Sequence, residues 1–170
     1  MHRVILVSAV ALMTALPVVA EQPRIKAEDV VDFMVESANL GLSRGICIGT
    51  SEECAPPEPD GMDMLINFEL DSADLTAEAR ENLAVFANAL QDDRLQNASF
   101  VVEGHTDARG IDGYNDQLSK ARAASVQQYL VDLGVSAARL DAIGLGETQP
   151  RTDNAMDPEN RRVELRIAVQ

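Results

Sequence analysis

A strand that runs through a glycine-bearing turn into a long helix sets most of what this chain can become. Phe100-Val101-Val102 is the apolar end of that strand, Gly110 and Gly113 punctuate the turn, and a helix opens near Asn115. Asp107 lies just past the strand end, and Arg122 lies two turns into the helix. Backbone N–H groups point outward where a strand gives way to a helix, so a small charged ligand can be held there. An acid and a base brought to one pocket suit a ligand that carries both an ammonium and a carboxylate. The competing reading is local: Asp107 caps the turn and Arg122 is a solvated helix residue.

Strand and helix patterns flank this passage. Met64, Ile66, Phe68 and Leu70 alternate with Leu65, Asn67 and Glu69, a period of two that predicts a strand. Asp71 to Asp74 reads as a turn, Thr76 as an N-cap, and Glu78 suits the first turn of the helix that follows. Ala79, Leu83, Phe86 and Leu90 line one face of that helix, which ends near Gln91. The second strand is expected from Ala98 to Glu103. The second helix runs from Asn115 to Leu133, with Leu118, Val126, Tyr129, Leu130 and Leu133 turned inward and Gly134 as the left-handed stop. One short helical turn is expected at Ser136 to Arg139, and a third strand at Leu140 to Leu145. After a polar loop from Gly146 to Glu159, Val163, Leu165, Ile167 and Val169 alternate with Arg162, Glu164 and Arg166 as the last strand. The order is β-α-β-α-β-β, an α+β sandwich. Two helices packed on one face of a mixed four-stranded sheet bury both apolar stripes.

The first 61 residues have a different character. Arg3 followed by the apolar run Val4 to Val19 and the small Ala20 reads as a signal peptide, residues 1–20, cleaved after Ala20. As a membrane anchor the run is short against the roughly 20 residues a span needs. No cysteine follows it closely, so no lipid attachment site is apparent. Residues 21–61 form a leader. Lys26 to Ser37 can make a short helix with Val30, Phe33, Met34 and Ser37 on one face, either as a strut on the domain or as a docking helix. Cys47 and Cys54 are the only cysteines, and export would place them where a disulfide forms. Such a bridge contributes on the order of 2–3 kcal/mol. The Pro-rich stretch APPEPDG marks the boundary near Gly61, and residues 62–170 are the domain proper.

Four pieces of the chain, GHTDARG, YNDQLSKARAASV, RLDAIGLGETQP and NRRVEL, resemble the C-terminal domain of the OmpA family, in its order and spacing. That family includes peptidoglycan-associated lipoproteins and flagellar stator proteins, and the resemblance covers about Met64 to Ala168. It implies binding of the meso-diaminopimelate of peptidoglycan stem peptides. The family's aspartate in the TD pair matches Asp107, and its arginine in the LSxxRA run matches Arg122. The same fold of two helices on a mixed sheet is implied.

Asp107 then accepts from the ligand ammonium, and Arg122 offers a two-pronged fork to its carboxylate. Helix amides near Asn115 to Gln117 are candidates to help hold that carboxylate. Further candidates for the site are Thr106, Asn115, Leu118 and Arg161, each with an ordinary alternative. Thr106 fixes the turn, Asn115 reads first as an N-cap, Leu118 belongs to the core, and Arg161 braces the sheet edge. Asn160 is expected to bond backbone.

Other functions are disfavoured. A formal net charge of −14 repels nucleic acid and anionic lipid. Four metal ligands are wanted, and beyond His2 in the signal segment the sole histidine is His105, so no metal site is expected. No GxSxG elbow is present, neither cysteine has a catalytic context, and Gly144-Leu145-Gly146 is only a fragment of a phosphate loop. Asp71 and Asp74 are explained by their turn rather than as a glycosidase pair. The expectation is a non-catalytic, cofactor-free peptidoglycan-binding protein of the periplasm, associated with the outer membrane or free, and contributing to envelope integrity. The alternative is an envelope assembly protein whose acidic leader docks a protein partner, with wall binding secondary. The pattern shows no barrel strands.

Overall fold

The computed structural model describes residues 25–41, 61–64, 66, 68 and 71–168. The expected signal segment, Cys47 and Cys54 lie outside the described residues. Helix α1 spans Ala27–Gly41, strand β1 Met62–Asp63 and helix α2 Ala77–Leu90. Strand β2 spans Phe100–His105, helix α3 Asp112–Asp132, strand β3 Leu140–Gly146 and strand β4 Val163–Ile167. The sheet order is β1-β4-β2-β3. β2 and β3 run parallel, while β4 is antiparallel to both β1 and β2, so the sheet is mixed.

Helix α2 starts where its sequence says it should. The Thr76 hydroxyl accepts from the Ala79 amide at 3.1 Å, satisfying one of the free first-turn donors. Its buried stripe is Ala79, Leu83, Phe86 and Leu90, with Ala87 and Ala89 beside it. These residues meet Phe100 and Val102 of β2, Val163, Leu165 and Ile167 of β4, and Val126 and Leu130 of α3 in one aliphatic core. Helix α1 adds Val30, Val31 and Met34 to that core and buries Ser37 beside them. Its apolar face is therefore covered by the domain, as a strut would be. Arg94, in the turn after α2, pairs with Asp32 of α1 at 2.9 Å.

Helix α3 packs on the sheet differently. Its buried face is Asn115, Ser119, Arg122, Ala123, Val126 and Leu130, polar or small over the first half. Small residues let main chains approach. A side chain at Gly104 of β2 would collide with the Ser119 carbonyl, and one at Gly144 of β3 with the Lys120 backbone. Both strand positions therefore require glycine.

Two expectations need correction, and a third falls partly outside the described residues. Of the first strand, expected from Met64 to Leu70, only Met64, Ile66 and Phe68 are described. Among the described residues, Met62 and Asp63 pair with β4, the Met64 amide adds one bond to the Val163 carbonyl at 2.9 Å, and Phe68 makes an isolated bridge to Leu75. Helix α3 begins at Asp112, so Asn115 is not its N-cap; Ile111 occupies that position and offers no side-chain cap. Leu133 is 37% exposed rather than inward, because the helix has ended and the chain turns away through Gly134 (φ +98°).

The sheet face away from the helices carries charge. Glu103 and Glu164 sit directly opposite each other in the β2–β4 register, an arrangement that repels unless cations intervene. Arg166 donates to Glu103 at 3.0 Å, and Arg162 and Arg151 reach Glu164 at 2.5 and 2.9 Å. Burial by itself would raise the Glu164 carboxyl, but the hydrogen bonds and charges of Arg162 and Arg151 outweigh it and hold the group below its ordinary value.

Candidate functional site

The site sits where β2 ends. The β2–β3 register shifts between Gly104 and His105, and such a shift re-aims the chain. Two main-chain bonds fix the new direction: His105 N–H to the Arg162 carbonyl at 3.0 Å and Thr106 N–H to the Gly146 carbonyl at 2.8 Å. Asp107 follows, 5% exposed, at the floor of a cleft of about 660 Å³. Arg122 reaches the same cleft from α3 and is 8% exposed. Thr106, Asn115, Leu118 and Arg161 line it too, so the cleft brings together every ligand-contact candidate read from the sequence.

Each charged group is held by identifiable partners. Arg161 Nη1 lies 2.6 Å from Asp107 Oδ2, and Arg109 Nε lies 3.7 Å from the same oxygen. The other oxygen, Oδ1, accepts the Arg109 amide at 3.2 Å. Arg122 is not paired with Asp107. Its Nε donates to the Ser72 carbonyl at 3.0 Å, and its guanidinium lies 4.9 Å over the Phe68 ring. Among the described residues, Nη1 and Nη2 of Arg122 have no hydrogen-bond or ion-pair partner. Burial disfavours its charge and nearby Arg161 adds to the effect; Asp107 and Asp71 do not fully offset them, so the guanidinium is held below its ordinary value.

Asn115 braces the turn. Its side-chain amide donates to the carbonyls of Asp107 (3.2 Å) and Arg109 (3.4 Å) and to Glu147 at 2.5 Å. Its own N–H is bonded to the Ile111 carbonyl at 3.0 Å, and Asp116 and Gln117 lie inside the helix. The amides expected to hold a carboxylate are therefore occupied by the helix itself. Leu118 is half-buried at the cleft wall. The Thr106 hydroxyl is buried in the same wall and, among the described residues, has no hydrogen-bond partner. Asn160 bonds backbone throughout, accepting from Arg151 N at 2.7 Å and donating to the Asn154 carbonyl at 2.9 Å.

Sequence reasoning missed four cleft residues: Phe68, Asp71, Arg109 and Tyr114. Asp71 was legible only as a turn residue, and it does hold a left-handed conformation (φ +57°). The Tyr114 hydroxyl donates to its carboxylate, tying the β1–α2 connection to the start of α3. Arg109 stands in the TDARG run, two residues from Asp107. That proximity was the available signal.

Glu103, His105 and Glu164 bring one potential metal-ligand atom each within 4.8 Å of one another. Both carboxylates already accept from guanidiniums, and a dication would join Arg151, Arg162 and Arg166. The cluster fits an ion-pair network better than a metal centre.

Residues 67–164 match the OmpA family. The chain belongs to that family. An OmpA-family relative, the peptidoglycan-associated lipoprotein of Pseudomonas putida, is 44% identical over 102 residues, covering 58% of this chain and 60% of that protein. The chain thus matches about three fifths of the length of such curated relatives. Among solved structures, the peptidoglycan-associated lipoprotein of Burkholderia pseudomallei is similar at 30% identity and a TM-score of 0.53, over 61% of this chain and 88% of that one. The OmpA-like domain of FopA1 from Francisella tularensis subsp. tularensis SCHU S4 aligns at 28% identity and a TM-score of 0.54, over 61% and 71%. As expected from the OmpA-family motifs, the fold is α+β with an open mixed sheet.

Proposed function

We propose that this OmpA-family chain is a non-catalytic peptidoglycan-binding protein of the cell envelope that grips the free end of diaminopimelate. One observation carries the reading. Asp107 and Arg122 are both nearly buried in a single cleft, and among the described residues the Arg122 fork has two nitrogens without partners there. The likeness to peptidoglycan-associated lipoproteins supports the ligand class.

The ligand end has an ammonium and a carboxylate on one carbon. Arg122 presents its open edge to the carboxylate, held flat by Phe68 and oriented by the Ser72 carbonyl. The ammonium approaches Asp107 from the Oδ1 side, because Arg161 occupies Oδ2. Thr106 lines the cleft beside Asp107, and Leu118 supplies an apolar wall. No bond is broken. Residues 1–20 direct export and are removed after Ala20, leaving the protein in the periplasm against wall and outer membrane.

The test is co-sedimentation with diaminopimelate-type sacculi. Wild type is expected to pellet, while Asp107→Ala and Arg122→Lys, folded by circular dichroism, stay in solution. Removing one partner of a desolvated ionic contact typically costs about 2–5 kcal/mol, enough to abolish weak binding. A wild type that stays in solution refutes the reading.

A further inference from the structure

We infer that the binding groove continues beyond the Asp107–Arg122 pair into a second compartment, which takes an additional carboxylate of the same stem peptide. The inference rests on the peptidoglycan reading and extends it along the ligand. A smaller cavity of about 270 Å³ adjoins the main cleft, lined by Ile66, Phe68, Arg122, Pro158, Arg161 and Arg162. Three of these, Phe68, Arg122 and Arg161, also line the main cleft, so the two spaces share a wall. Their chemistry differs. The main cleft sets Asp71 and Asp107 among its arginines, as a zwitterion requires. Among the described residues, the second compartment is lined by three arginines and no acid.

The donors there are fixed in place. Arg162, 9% exposed, is anchored by Glu164 at 2.5 Å and by the carbonyls of Gln149 and Asn160. Arg122 gives its open edge to the zwitterion and brings its charge to the shared wall. Among the described residues, Arg161 is committed at one nitrogen only, to Asp107, and so keeps a free edge, which matches a carboxylate. The charge of Arg161 also works against that of Arg122, a repulsion that an anion between them would relieve.

A stem peptide supplies such groups a side chain's length or more from the zwitterionic end, because that end is the tip of the diaminopimelate side chain. The α-carboxylate of the γ-linked glutamate lies on one side of diaminopimelate. On the other side lies the carboxylate that ends a tripeptide. The chemistry at the protein is the same for both, and the ligand decides which one is used.

Calorimetric titration of the purified protein separates them. The ligands are the tripeptide L-Ala-γ-D-Glu-meso-diaminopimelate, its two monoamides (at the glutamate α-carboxylate or at the diaminopimelate carboxylate of the peptide backbone) and the double amide. All four keep the free zwitterionic end. The tripeptide is expected to bind about tenfold more tightly than the double amide, the scale of one charge-assisted contact. The monoamide that loses this gain identifies the carboxylate. Pro158 is exposed at the compartment mouth, and Pro158→Glu is expected to erase the difference while leaving double-amide affinity as in wild type. Equal affinity of wild type for tripeptide and double amide overturns the inference alone, as does a Pro158→Glu protein that keeps the full difference. Failure of wild type to bind any of the four overturns the wall-binding reading and this inference with it.

Discussion

Arg161 lies 2.6 Å from Asp107, so the acid of the proposed site is paired before any ligand arrives. Asp107 is almost enclosed, whereas the Arg161 side chain is 43% exposed, which places the pair between a surface bridge and a buried one. A double-mutant cycle with Asp107→Asn and Arg161→Gln is expected to show a coupling of about 1 kcal/mol in urea unfolding. A coupling near zero would mean that the contact only fills space. Both single variants are also expected to weaken sedimentation with sacculi, Asp107→Asn the more severely.

Acid should destabilise this protein well above the range in which carboxylates titrate. His105 is 1% exposed, and neither ring nitrogen has a hydrogen-bond partner among the described residues. Burial, and then the charges of Arg162, Arg166 and Arg151 against the opposing pull of Glu164, push its pKa from 6.5 down to about 4. The nearest acid is Glu103, at 3.9 Å. Because the folded pKa lies below the unfolded one, the unfolded chain takes up the proton first. Stability therefore falls from pH 6.5 toward pH 4, by at most about 3 kcal/mol in total. Glu164 adds to the loss only at lower pH, since its depressed carboxyl keeps its contribution until it too is protonated. Urea midpoints measured between pH 7 and 4.5 check this, and His105→Gln should flatten the curve in that window.

Arg139 is expected to matter for stability though it lies away from the cleft. Its three nitrogens donate to the carbonyls of Ala98 (2.8 Å), Leu90 (2.9 Å) and Leu95 (2.6 Å), and it lies 5.4 Å over the Phe100 ring. One side chain thus ties the end of α2, the turn after it and the approach to β2. Arg139→Met is expected to cost about 2–3 kcal/mol by leaving part-buried acceptors unsatisfied. Arg139→Lys should recover only a fraction, because an ammonium cannot meet three acceptors with a planar fork. Thermal unfolding of the two variants ranks them.

Gly104→Ala tests the contact between α3 and the sheet. The added methyl meets the Ser119 carbonyl, which belongs to main chain and cannot swing aside. A loss of about 3 kcal/mol is expected in urea unfolding, at the upper end for overpacking. A neutral result would show that the helix can slide on β2.

How much of this was legible in the sequence depends on what each residue's partner is. β4 was legible because strict alternation survives in any setting where one face is buried, and Thr76 because a cap is a local contact. The start of α3 was not. Its true cap, Ile111, carries no capping side chain, while Asn115, a good capping residue by type, is used to staple the preceding turn. Asp107 and Arg122 were singled out through their motifs, but the shorter of the two ion pairs of Asp107 is with Arg161, more than fifty residues away in sequence. The alternation along β4 does not say whether its charged face is open or covered. Glu103, Arg162 and Glu164 are nearly buried, an outcome set by how distant segments cover one another.

The glycines beneath α3 bear on more than stability. Asp107 follows the end of β2 and Arg122 stands on α3, so the separation of the two charges depends on how closely that helix rests on that strand. At Gly104 it rests backbone against backbone, and at Gly144 the Lys120 backbone and the Ser119 hydroxyl lie against the strand. The gauge of the proposed binding cleft is consequently set by close van der Waals contact between helix and strand, which mutation of the aliphatic core cannot easily widen or narrow. Leu, Val and Met elsewhere in the core can drift and repack while acid and base keep their spacing.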